Sequence, residues 1–173
     1  MIKKSKFNLQ FSGLKLGIHH FNFQIEDSFF EEIEIEEIQN VDAKINVNLE
    51  KKESMLILDF NLNGSLDLSC DLCTDIYSQA IRNRFHLIVR FSDLISEQDN
   101  EELLILPTNE HTLSLDDYFY ELIVLSIPNK RVHPEIEQCN KEMINQLERL
   151  TSIFEEKDEE IDPRWADLKK LKS

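Results

Sequence analysis

The chain has three cysteines in 173 residues, and two of them stand together as Cys70-Asp71-Leu72-Cys73. Thiols at that spacing can clasp a metal ion, cycle as a redox dithiol, or close a disulfide. An odd cysteine number in a reducing compartment argues for the first two before a structural disulfide. Redox work needs a stabilised thiolate, at a helix N-terminus or beside a cation. Asp67, Asp71 and Asp75 flank the pair and predict raised thiol pKa values instead. A zinc ion brings its own positive charge and is favoured by the same acids. It needs two more ligands, and His133 and Cys139 supply the right types close together. Cys70, Cys73, His133 and Cys139 make a Cys3His set, an accepted structural zinc arrangement. The bland reading is that all three thiols are reduced and idle, packed as small apolar side chains. Both readings stay open here. His19, His20, His86 and His111 fall at strand or loop positions and read as ordinary surface or core residues.

Other chemistries find little support. The only glycines, Gly13, Gly17 and Gly64, cannot build a P-loop or a dinucleotide fingerprint. There is no Gly-x-Ser-x-Gly elbow and no His-Glu-x-x-His. Acids are abundant, but nothing singles out a catalytic pair. The expectation is a protein that is not an enzyme and takes no small-molecule substrate, with a thiol- or metal-dependent enzyme at the Cys-x-x-Cys as the alternative.

The elements that position the cysteines are strands. Val41, Ala43, Ile45, Val47 and Leu49 alternate with polar residues, and so do Leu56, Leu58, Phe60, Leu62, Leu66 and Leu68. Ile81, Phe85, Leu87, Val89 and Phe91 repeat the pattern after the cysteines. Pairing Leu62 with Ile81 and Leu58 with Phe85 keeps the apolar side chains on one face. The same register sets Cys70 opposite Cys73 at the tip of a long hairpin. Gly64 is the expected site of a bend or bulge. An earlier strand spans 17–25, and residues 27–38 are ambiguous between strand and short helix. Beyond Pro107 the period becomes helical. Ser114 and Asp117 suggest a capping box for a helix running towards Pro128, and a second helix is expected over 141–154 with Met143, Leu147, Leu150 and Phe154 on one stripe. After an acidic linker at 155–160, Asp162 and Pro163 start a short tail helix. The fold class is α+β: a curved, mostly antiparallel sheet in the N-terminal half, followed by two or three helices. The expected division is a β-rich domain with a packed helix at 1–127 and a helical region at 128–173.

Charge narrows the partners. Thirty-four acids against 19 Lys plus Arg give a net charge of −15. Such a surface repels phosphate backbones and argues against a broad basic nucleic-acid face, while attracting basic partners; as the bland alternative it merely keeps the chain soluble. Small basic spots remain at Lys3, Lys4 and Lys6, at Arg82 and Arg84, and at Lys130 and Arg131. Their clustering on one face would favour direct contact with RNA. The tail carries Trp165, Leu168 and Leu171 on one stripe with Arg164, Lys169 and Lys170 around it, and reads either as a segment folded back on the core or as a docking peptide. No run approaches the roughly 20 apolar residues of a membrane span, and no secretory leader is evident, so a cytoplasmic chain without membrane contact is expected.

Three segments, in order, resemble the family of large ribosomal RNA subunit accumulation proteins, the YceD-like proteins. They are Cys70-Asp71-Leu72-Cys73; Leu125-Ser126-Ile127-Pro128 followed by Arg131-Val132-His133-Pro134 and Cys139; and Asp162-Pro163-Arg164-Trp165-Ala166-Asp167-Leu168-Lys169-Lys170-Leu171. Fuller members carry a further cysteine cluster, of which this chain keeps only Cys139, and that excludes a four-cysteine site. The resemblance implies a role in producing or stabilising large-subunit ribosomal RNA in bacteria or plastids, without catalytic activity. The expected partner is then a basic ribosomal protein or ribosomal RNA, with a structural zinc-binding interaction module as the alternative.

Overall fold

The computed structural model describes residues 6–30, 38–93 and 102–155. Lys3, Lys4, the stretch 31–37 of the ambiguous segment and the tail with Arg164, Trp165, Leu168, Lys169 and Leu171 lie outside the described residues. Two compact units are present, one formed by residues 1–68 with 76–131 and the other by 69–75 with 132–173.

The first unit contains β1 (Asn8–Gln10), β2 (Gly17–Glu26), β3 (Gln39–Lys51), β4 (Met55–Ser69, whose last residue passes to the second unit), β5 (Ile76–Phe91), β6 (Leu103–Leu106), β7 (Thr112–Ser114) and helix α1 (Asp116–Val124). Five strands make an open sheet in the order β2-β3-β4-β5-β6, and β1 pairs with β7 separately. β2 and β4 both run antiparallel to β3, while β6 joins β5 in parallel. The α+β architecture read from the sequence is present, and the polar alternation is its cause. Val47 stands between Phe21 and Phe60, and Ile45 between Phe23 and Leu62, so one face of each strand is buried and the other wet.

Helix α1 closes that apolar face. Phe119 is inaccessible and meets the rings of Phe7, Phe23 and Phe60 at centroid distances of 5.3, 5.1 and 6.2 Å. The expected capping box is absent: the residue preceding the helix is Leu115, and no side chain caps it. Asp116 instead turns its carboxylate to the backbone N–H groups of Lys6 and Phe7, at 3.1 and 3.0 Å, and so holds the start of the chain rather than its own helix. The helix also stops short of Pro128, leaving Leu125 77% exposed. Of the ambiguous segment, Asp27–Phe29 form a single 3-10 turn.

Gly64 sits directly opposite Ala43, but the bulge is not there. The register slips on the facing strand, between Gln39 and Asp42, where Asn40 takes φ 49° and donates its amide to Asp67 at 2.8 Å. Asn tolerates that left-handed backbone better than most residues, so β3 absorbs the extra residue. Gly64 serves close approach: a Cβ there would stand 2.5 Å from Ala43 Cα and 2.8 Å from Ala43 Cβ. Gly64→Ala is therefore expected to cost about 2–3 kcal/mol by overpacking, which lowers the melting temperature by roughly 5–10 °C in a chain of this size. Thermal unfolding followed by circular dichroism checks it.

Candidate metal centre

All four predicted ligands belong to the second unit. Its first segment is the tip of the β4–β5 hairpin. Cys70 takes the last ladder positions, its N–H bonding the Asp75 carbonyl and its carbonyl accepting from Thr74 N–H, both at 2.9 Å. The backbone partners of Cys70 are thus Thr74 and Asp75 rather than Cys73, because the tight turn draws Cys73 inward. Thr74 closes that turn with φ 64°. The second segment runs extended through His133, makes a 3-10 turn at Ile136–Gln138, and reaches Cys139 just before helix α2 (Lys141–Glu155). Asn140 caps that helix, its Oδ1 accepting from the N–H groups of Glu142 and Met143 at 3.1 and 3.4 Å. Cys139 is thereby held between a turn and a cap, two rigid pieces. On α2 itself, Leu147 and Leu150 of the expected stripe are 39% and 54% exposed, so that stripe is not a buried one.

The ligand atoms of Cys70, Cys73, His133 and Cys139 all lie within 4.8 Å of one another. The sulfurs of Cys70 and Cys139 are 3.9 Å apart, and His133 Nδ1 lies 3.6 Å from the Cys73 sulfur and 3.4 Å from that of Cys139. A tetrahedral zinc with Zn–S of about 2.3 Å and Zn–N of about 2.05 Å requires S···S separations of about 3.8 Å and S···N of about 3.6 Å. The donor set fits that ion in type, number and spacing. The three cysteines are buried and His133 half-buried.

Electrostatics at the tip reverse the expectation from the flanking acids. Burial pushes the Cys70 thiol up, but hydrogen bonds from the backbone N–H groups of Cys73, Leu72 and His133, and from the His133 ring, outweigh it and bring it down to about 6. Asp67, Asp71 and Asp75 do not figure among the causes. Burial pushes the Cys139 thiol up to about 11, reinforced by its sulfur neighbours Cys73 and Cys70. The pocket thus favours the thiolate at Cys70, the form in which sulfur binds a metal, and opposes one at Cys139 in the absence of compensating positive charge. Sequence spacing pointed to the four ligands; the three N–H donors aimed at Cys70 depend on backbone direction, which residue types alone do not carry. The remaining histidines take ordinary roles: His19 bonds the Lys15 carbonyl, His20 bonds Asn48, His86 bonds Asp59, and His111 is exposed.

A family model described as large ribosomal RNA subunit accumulation protein YceD matches residues 58–172, about two thirds of the chain. The chain belongs to the YceD family. The matched stretch contains both halves of the Cys3His cluster and the whole β4–β5 tip. No curated protein and no solved structure matches. Within this YceD-family chain no helix of the described residues is long and apolar enough to cross a membrane.

Proposed function

We propose that this chain is a non-enzymatic factor that supports accumulation of large-subunit ribosomal RNA by binding a ribosomal component, with a structural zinc held by Cys70, Cys73, Cys139 and His133. The observation that carries the biological role is the family match over residues 58–172. The cluster's geometry supports the metal. Burial argues for structure over catalysis: Cys70 and Cys73 are 2% and 0% exposed, which leaves a substrate no route to the sulfurs. When bound, the zinc would supply the positive charge that the crowded sulfurs need and would fasten residues 69–75 to the segment that starts at Val132. The cysteine and histidine side chains do nothing else in this reading. Two classes of ribosomal component suit the chain: a basic ribosomal protein against the overall charge of −15, or RNA against local basic spots. The tail residues Arg164, Trp165, Leu168, Lys169 and Leu171 are a candidate docking peptide for the same component, by their amphipathic spacing.

Protein purified without chelator is expected to hold close to one zinc per chain by elemental analysis. Cys73→Ser should lower both metal content and melting temperature, since structural metal binding adds directly to folding free energy. A metal-free native chain, or a variant that melts unchanged, contradicts the zinc assignment. The role is tested by capturing the tagged chain from cells at low and high salt and identifying both protein and RNA. A ribosomal protein or large-subunit RNA, released as salt rises, is expected, because exposed charges more than about 8–10 Å apart are screened near physiological ionic strength. Recovery of neither component overturns the role.

A further inference from the structure

This chain contains six arginines, and three of them, Arg82, Arg84 and Arg90, share the solvent face of the single strand β5. Their alternation with Ile81, Leu87 and Val89, all buried, is what turns them outward together. His86 stands in the same row, and no acid interrupts it from Ile76 to Phe91. In a protein of net charge −15 these guanidinium groups would be expected to find carboxylates, yet among the described residues none makes an ion pair. Three acids on the same side of the sheet have partners of their own, one of them His86 within the row. Asp59 bonds His86 at 2.7 Å, Asp42 bonds Gln24 at 2.6 Å, and Asp67 bonds Asn40 at 2.8 Å.

The neighbouring strands bring amide side chains to this face, with Lys44 among them. Asn22, Asn46 and Asn61 form one cross-strand row, and Gln24, Lys44 and Asn63 another. Amide side chains offer donors and acceptors to almost any polar edge, whereas an arginine left without a carboxylate is suited to a planar, bidentate anion such as phosphate.

We propose that the solvent face of β5 is an RNA-binding strip, on which Arg82 and Arg84 contact neighbouring phosphates of a single-stranded segment and Arg90 a phosphate further along it, while the polar rows of β3 and β4 meet its sugars and base edges. The inference rests on the ribosomal reading above and selects RNA from its two classes of component. Side chains two apart on one strand face are about 6.6 Å apart, so Arg82 and Arg84 span about one phosphate step and Arg90 stands about 20 Å beyond Arg84, roughly three steps along an extended single strand. The distant acids of the molecule do not forbid this, because a Debye length of about 8 Å at physiological salt confines each charge to its surroundings. No Phe, Tyr or Trp side chain projects from the described β2–β5 residues of this face, so binding should be dominated by phosphate contacts rather than stacking. Of the other basic spots, Lys6 gives its ammonium to the Ser28 carbonyl, while Lys130 and Arg131 follow α1 rather than lying on this strand.

The test is binding of a fluorescent 12-nucleotide oligouridine to the full chain across a salt series. Three phosphate contacts give a slope of log affinity against log salt of about −2, or roughly a 20-fold loss between 50 and 200 mM. The exposed triple variant Arg82→Gln/Arg84→Gln/Arg90→Gln should fold with an unchanged melting temperature and lose most of the affinity and the slope. Arg84→Gln alone should flatten the slope by about 0.7, and Lys130→Gln/Arg131→Gln should leave it unchanged. Oligouridine binding that the triple variant retains, or its absence in the native chain, overturns the strip. If the triple variant still captures its ribosomal component from cells, the strip fails while the ribosomal role stands.

Discussion

Three sulfurs and an imidazole nitrogen crowded within 4.8 Å, with the three cysteines buried, set the central constraint of the second unit. Backbone donors favour the thiolate at Cys70, while burial and its sulfur neighbours hold Cys139 in the neutral form. Ionising all three thiols together is strongly unfavourable unless a cation stands among them. A divalent ion held by Cys70, Cys73, Cys139 and His133 would offset that repulsion. The turn at Thr74, the 3-10 turn at Ile136–Gln138 and the Asn140 cap then have a common consequence, which is to present four lone pairs at the separations a tetrahedral ion requires.

The β4–β5 hairpin connects this constraint to everything else. Its body supplies the buried rows centred on Leu58, Phe60, Leu62, Ile81 and Leu87, its tip supplies Cys70 and Cys73, and its solvent face carries Arg82, Arg84 and Arg90. Strand alternation permits all three at once, since period two separates the buried face from the wet one and a two-residue spacing keeps like with like. Structural and binding chemistry are therefore kept on different groups: thiols at the tip, guanidinium groups along the side. An acidic protein can present a local anion-binding strip in this way, and the overall charge of −15 says little about one strand.

Much of the fold was legible because strand alternation is a strong signal. The four long strands, the hairpin tip and the second helix follow from apolar spacing, and the four candidate ligands follow from residue type and order. What was not legible depends on backbone detail. Gly64 read as a bulge, but close approach to Ala43 explains the glycine, and the extra residue went to Asn40, whose side chain tolerates positive φ. Ser114 and Asp117 read as a capping box, but Asp116 is drawn to the N–H groups of Lys6 and Phe7, more than 100 residues away in sequence. The flanking acids suggested raised thiol pKa values, but N–H groups pointing at Cys70 decide the matter at shorter range. Arg82 and Arg84 were visible as a basic pair, whereas their alignment with Arg90 mattered only once the strand continued unbroken to Phe91.

The most direct measurement of the central claim is X-ray absorption at the zinc edge on protein isolated without chelator. Cys70, Cys73, Cys139 and His133 predict a first shell of three sulfurs at about 2.3 Å and one nitrogen at about 2.0–2.1 Å, with the imidazole's outer-shell scattering present. A shell of oxygen and nitrogen alone, or one with no more than a single sulfur, would contradict the assignment of the metal to this cluster.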